Sequence, residues 1–230
     1  MIERSKIETL VRERLSKIIK SQKSSSTKVF DFVNEQVVLD NREQKIILIS
    51  PKAIITPSAQ DLADSYDVNF KVTIQNNTSV YGNYSHNSIA IGADHGGFAL
   101  KEELKKEIKK WNYEVVDVGT YSTASVDYPD FAYSVATMVA SGKCKKGIMI
   151  DGVGIGSAMV ANKVKGVRAA NCHNLFEINN SREHNDSNVL TLGGRVIGPA
   201  LAVAMVKAWL KTPFAGGRHQ RRVDKIMQHE

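Results

Sequence analysis

The chain has 230 residues but only two cysteines, few aromatic residues (7%), and no apolar run near the ~20 residues that crossing a bilayer requires. The last absence excludes a transmembrane reading. Cys144 and Cys172 have neither metal-ligand spacing nor a disulfide framework around them, so a reducing cytoplasmic interior is the expected compartment. The opening residues, MIERSKIETL, carry charges throughout and lack the apolar core of a secretory signal. The net charge of +7 invites a nucleic-acid reading. Its excess, however, is concentrated near the two ends, in Arg4, Lys6, Arg12, Arg14, Lys17, Lys20 and Lys23 and again in Arg218, Arg221, Arg222 and Lys225. No nucleic-acid-binding motif accompanies it. Neither nucleic acid nor membrane is expected as a partner, and a compact arginine cluster suits small phosphorylated ligands.

Three textures follow one another along the chain. In residues 2–19 the apolar positions Ile2, Ile7, Leu10, Val11, Leu15, Ile18 and Ile19 are spaced by three and four among charges, which predicts an amphipathic helix over 1–20. Residues 21–28, SQKSSSTK, read as a polar linker. Such a helix gains stability by docking its stripe, either on its own domain or a sister subunit or as a targeting peptide. Residues 29–87 form a small accessory segment. In it Val37-Val38-Leu39 and Ile46 to Ile49 read as strands, Pro57 and Ser58 start a helix through Ala63, and 75–83 is a turn-rich linker.

From Ser88 onward strands and helices alternate. Strands are expected at 89–91, 114–117, 147–150, 167–171 and 188–191, with helices over 100–111, 131–140, 155–163, 175–182 and 200–210. This predicts an α/β fold, a doubly wound Rossmann-like parallel sheet with helices on both faces. Ligands bind such sheets at the carboxyl ends of the strands. Polar signatures fall there: Asp94-His95, Asp151 with its glycine loop, and Gly193-Gly194-Arg195.

The segment Gly147 to Gly156, GIMIDGVGIG, reads as a buried strand running into a glycine-rich loop with a carboxylate at the junction. Glycines 152, 154 and 156 let backbone N–H groups point at whatever sits above the strand. Two readings stand: Asp151 caps the next helix, or it moves a proton beside an oxyanion-binding loop. Arg218 and Arg222, four apart on an expected helix, suit two-point recognition of a phosphate.

In order, IAIGADHGGFALKEEL, VDVGT, DYPDFA, GVGIGSAMVANKVKGVRAA, SREHNDSNVLTLGGRVIG and AWLKTPFAGGRHQRRV resemble the type B ribose-5-phosphate isomerases and the related galactose- and allose-6-phosphate isomerases. The resemblance covers 88–230. It implies a phosphorylated sugar as substrate, no metal and no cofactor, and a homodimer with shared active sites, a tetramer being the next open step. By position, His184 would open the furanose ring; Asp94 and Tyr128 would contact hydroxyls; Asn185 would hold the reacting oxygens. His95, Arg195, Arg218 and Arg222 would bind phosphate, some from the partner subunit. The amides of Gly152, Val153, Gly154, Ile155 and Gly156 would stabilise the enediolate.

The chain departs from that pattern in the loop itself. Many members carry cysteine where Asp151 stands and threonine or serine in place of Val153, and another branch has glutamate at Ser157. Asp151 is thus the evident base. Ribose 5-phosphate is the expected substrate, with a hexose 6-phosphate or deoxy sugar, or a catalytically weak phosphosugar-binding scaffold, as alternatives. Residues 1–20 resemble the encapsulation peptides of bacterial microcompartment enzymes, which implies shell or cargo proteins as partners and the compartment lumen as location.

Overall fold

Along Ile89-Ala90-Ile91 successive side chains point to opposite faces, and both faces are buried. Ile89, Ile91 and Ala93 enter one core cluster and Ala90 the other, and Ile148 and Ile150 divide from Met149 in the same way. Strands covered on both sides need no polar alternation, which is why these segments read as unbroken apolar runs. The structure, a computed structural model, describes residues 28–73 and 87–230. The expected helix of 1–20, all but the last residue of the 21–28 linker, and the linker at 75–83 lie outside those residues.

The main sheet contains β4 (Ser88–Ala93), β5 (Glu114–Asp117), β6 (Lys146–Asp151), β7 (Ala169–Asn171) and β8 (Val189–Gly193). Their order is β5-β4-β6-β8-β7, parallel throughout. Helices α3 (Phe98–Lys110), α6 (Leu175–Glu183) and α7 (Pro199–Lys211) contribute Leu104, Ile178 and Trp209 to one face. Helices α4 (Tyr128–Ala140) and α5 (Ile155–Ala161) contribute Phe131, Val135 and Ala161 to the other. The sheet is doubly wound, as expected. Its order reverses between β4 and β6, which opens a crevice at their carboxyl ends.

Ahead of it, β1 (Val29–Val33), α1 (Glu35–Asn41), β2 (Ile46–Ile55), α2 (Pro57–Ser65) and β3 (Asn69–Val72) form a second, three-stranded parallel sheet in sequential order. Val37-Val38-Leu39, expected as a strand, lies inside α1 instead. Asn34 caps that helix, its side chain accepting from Val37 N at 3.0 Å, and Val37 and Val38 turn into the small core. Local capping and burial outweigh the β preference of two valines. The helix expected after Pro57 forms, capped by Thr56. Strand β2 runs past Pro51, which has no N–H to give a ladder; the register with β1 jumps there, from Phe30 opposite Ile49 to Phe32 opposite Ile54. Phe32, 1% exposed, packs in the α4-side core of the main domain, and Lys143 Nζ donates to Asp31 O at 2.9 Å.

Candidate active site

Two carboxylates head the crevice. Asp94 follows β4, its N–H donating to Ile150 O at 3.1 Å. Its Oδ1 accepts from Gly96 N at 2.8 Å and Gly97 N at 3.0 Å, while its other oxygen carries no hydrogen bond among the described residues. Burial raises the Asp94 pKa; the Gly97 amide and His95 oppose this and the nearby Asp151 adds to it. A methyl group at Gly97 would fall 2.1 Å from Ile150 O, so only glycine lets this turn press against β6. His95 Nδ1 accepts from Val126 N at 3.3 Å, which puts the proton of the neutral ring on Nε2.

Asp151 is buried at the end of β6, and its carboxylate is turned into its own loop. Oδ1 accepts from Val153 N at 2.7 Å and from Gly154 N; Oδ2 accepts from Ser157 N at 3.3 Å and from the Ser157 hydroxyl. A carboxylate offers about four acceptor directions. All are filled here, so Asp151 ties the loop and caps α5 in the free protein. Proton transfer requires one of these bonds to be released. Val153 N and Gly154 N are therefore not turned toward a ligand, contrary to the expectation that every amide from 152 to 156 would face the enediolate. Ile155 N and Gly156 N belong to the first turn of α5, whose N–H groups a helix leaves unpaired.

Gly154 adopts φ 88°, and a side chain there would meet Asn171 Oδ1 at 2.6 Å. The loop needs glycine at this point for both reasons. Tyr128 and Arg195 close over it. A methyl at Gly156 would lie 2.6 Å from the Tyr128 hydroxyl, and one at Gly152 would lie 3.9 Å from Arg195 Nε. Arg195 N also donates to Gly152 O at 3.1 Å. Asp94, His95, Tyr128, Asp151, the glycine loop and Arg195 are thus gathered at the carboxyl edge.

The remaining predicted residues are not there. His184 leaves α6 just before β8 begins, at the amino edge, and β8 spans roughly 16 Å between the two edges. His184 Nδ1 faces Asn180 Nδ2 at 2.9 Å, and its ring stacks on His219 with centroids 4.1 Å apart and planes 8° from parallel. Arg218 Nε donates to His219 Nε2 at 3.4 Å. Burial, then His184, Arg218 and Arg222, lower the His219 pKa, and its Nδ1 has no partner among the described residues. Arg218 stands in a 3-10 turn, Gly217–His219, and Arg222 on α8 (Gln220–Met227), so the two do not share one continuous α-helix as expected. Asn185 is exposed and lines a 250 Å³ cavity with Arg168, Ser187 and Ile226. His219 escaped the sequence reading although it sits between predicted arginines; only its stacking marks it.

Neither cysteine offers the loop a thiol. Burial pushes Cys144 up to about 12 and Cys172 up to about 11.

A doubly wound sheet with a carboxylate-headed glycine loop at its carboxyl edge defines a Rossmann-like α/β enzyme. Residues 89–226 match the family described as Ribose/Galactose Isomerase, and the chain belongs to that family of sugar-phosphate isomerases. It is similar to ribose-5-phosphate isomerase B of Clostridium thermocellum, whose solved structure is 53% identical with a TM-score of 0.61, covering 62% of this chain and 96% of that one. It is 46% identical to ribose-5-phosphate isomerase B of Escherichia coli over 60% of this chain and 93% of that protein. To D-erythrulose-4-phosphate isomerase of Pectobacterium atrosepticum it is 41% identical, over 62% and 95%. The family match starts at residue 89 and these relatives are covered almost end to end, so the accessory segment has no counterpart in them.

Proposed function

We propose that the protein interconverts ribose 5-phosphate and ribulose 5-phosphate as a homodimer, each site joining the carboxyl-edge residues of one chain to the amino-edge residues of the other. The observation that carries this reading is the separation of the site residues onto opposite edges of one sheet: a single chain holds two half-sites. Exposed apolar side chains at the carboxyl edge, among them Val153, Ile155, Met159, Phe176 and Val196, suit coverage by a second copy.

In this reading His184 moves the ring proton that opens the furanose, and His95, Arg195, Arg218 and Arg222 hold the phosphate away from the reacting carbons, which fixes orientation. Asp94, Tyr128 and Asn185 contact the sugar oxygens. With substrate bound, the Ser157 hydroxyl turns away and Asp151 takes the proton from C2, leaving an enediolate facing the Gly152, Ile155 and Gly156 amides. The same carboxyl returns the proton to C1, while the proton on the C2 hydroxyl passes to O1. One observation favours a second assignment of the base: Asp94 has an oxygen free of hydrogen bonds among the described residues and a raised pKa, closer to the working pH.

Similarity to both ribose 5-phosphate and erythrulose 4-phosphate isomerases makes the substrate the point to test. A coupled assay over four-, five- and six-carbon phosphates, with a deoxy sugar phosphate included, is expected to give the highest kcat/KM with ribose 5-phosphate. A higher value for another sugar would reassign the substrate, and no turnover with any would support a phosphosugar-binding scaffold instead. Residues 1–20 are proposed as a packaging tail for a microcompartment, on the amphipathic spacing and polar linker alone.

A further inference from the structure

Besides burying Phe32 in the main-domain core and accepting from Lys143, the accessory segment reaches a turn of the catalytic domain that leads into the site. Asn34, the cap of α1, spends its carbonyl on Val37 N, yet its Nδ2 reaches across to donate to Tyr121 OH at 2.7 Å and Asp117 O at 3.2 Å. Tyr121 OH in turn donates to Asp117 O at 2.9 Å. Beneath this pair lies Lys101, fully buried, its Nζ bonded to both Asp117 oxygens at 2.7 and 2.9 Å and to Thr120 O at 2.7 Å, and 4.8 Å from the Tyr121 ring centre.

The turn is fastened to β4 as well. Ala93 N donates to Gly119 O at 2.6 Å and Thr120 N donates to Ala93 O at 2.7 Å, next to Asp94. The chain then runs through Val126, whose amide holds His95, to Tyr128, whose ring lies on Gly156. The short stretch from Tyr121 to Tyr128 thus starts on the accessory segment and ends on two residues read as substrate contacts.

We infer that the accessory segment is a brace, and that Asn34 and Tyr121 are positioning residues that set His95 and Tyr128 over the glycine loop. The relatives matched above lack this segment, so the brace is a property of this chain and not of the shared domain. It acts through substrate binding: a loosened 121–128 stretch leaves Asp151 and its loop intact but makes the substrate pay for ordering His95 and Tyr128.

The inference rests on the reading of His95 and Tyr128 as substrate contacts, so the test separates the two. Asn34→Ser keeps a good helix cap, since the hydroxyl can still accept from Val37 N, but cannot reach Tyr121. Tyr121→Phe leaves the cap untouched and removes the shared hydroxyl. In the full-length protein each is expected to raise KM for the sugar phosphate roughly three- to tenfold, the scale of one neutral hydrogen bond, with kcat within about twofold. Amide hydrogen exchange at 121–127 is expected to quicken in both, and the double variant to be no worse than the more affected single one, because both cut the same link. Where His95→Ala raises KM, unchanged KM in both variants overturns the inference, whether or not exchange quickens, as does a kcat loss that matches the KM change. His95→Ala serves as the control: if it leaves KM unchanged, the reading of His95 fails while the exchange data still judge the brace.

Discussion

Replacing Asp151 by asparagine separates the loop-tying role that its hydrogen bonds show from the proposed role as base, because the two losses are read by different measurements. The amide oxygen can still accept from Val153 N and Gly154 N, as Oδ1 does now. The amide nitrogen can donate to the Ser157 hydroxyl, but it cannot accept from Ser157 N, so one buried N–H is left unpaired. That costs about 1–3 kcal/mol. Losing the negative charge at the start of α5 adds about 0.3–1 kcal/mol. The expected loss of stability is thus about 1–4 kcal/mol, measured by urea unfolding, which a domain of ordinary stability survives folded. The catalytic loss is expected to be larger in kind: removal of the base lowers kcat by ~10²–10⁴-fold. The decisive assay is uptake of solvent deuterium into the sugar phosphate, which reads proton abstraction directly. Near-normal uptake by a folded Asp151→Asn protein would refute the base assignment, and loss of uptake in Asp94→Asn instead would move the role to Asp94. The same variant probes the shared site. Mixed and refolded with His184→Ala chains, it is expected to regain roughly a quarter of wild-type activity, because half of the random two-fold dimers then contain one intact site. No recovery in mixed dimers would refute the half-site arrangement.

Two further outcomes are expected. Lys146 Nζ, at the start of β6, donates to Trp209 O and Leu210 O, and burial, with Arg182 and Lys145 nearby, pushes its pKa down to about 7. Below pH 7 both folded and unfolded chains carry that proton and the whole burial cost is present. Between 7 and the unfolded value of 10.5 only the unfolded chain does, so stability rises with pH by up to ~1.4 kcal/mol per unit. Urea midpoints of wild type and Lys146→Met from pH 6 to 10 should therefore converge or cross as pH rises, and parallel curves would refute the depressed pKa. A chain beginning at Lys28 is expected to keep its isomerase activity but to leave the shell fraction when co-expressed with microcompartment shell proteins; retention there would remove residues 1–20 from packaging.

What the sequence revealed of the fold depended on how local its causes were. Strands buried on both faces announce themselves as short apolar runs, and Ile148-Met149-Ile150 needs no neighbour to be read as one. Helices such as α7 carry their apolar spacing with them. The Val37-Val38-Leu39 segment failed because its composition favours strand while its cap, Asn34, lies outside the run, and because the small core that buries Val37 and Val38 is assembled from distant residues. β1 is hard to read for a related reason. VFDFV is rich in strand-forming residues but does not alternate, because Phe30 and Val33 enter the small core while Phe32 enters the core of the catalytic domain.

The candidate site divides along the same line. The glycine loop, Asp94-His95 and Arg195 were legible because a parallel sheet delivers every strand end to one edge. The edge on which His184 stands was also written in the sequence, since a residue placed before a strand cannot sit where that strand finishes. Motif order alone hides this, because it carries no sense of which end of the sheet each motif occupies. The direction of the Asp151 carboxylate is less accessible still. Whether it faces a ligand or its own loop turns on the left-handed conformation at Gly154 and on the hydroxyl of Ser157. A serine at that position closes the ring of donors around Asp151, whereas a glutamate there would place a second carboxylate against the first. The identity of residue 157 therefore bears on which acid is free to take a proton, and replacing Ser157 while retaining Asp151 is expected to change that choice.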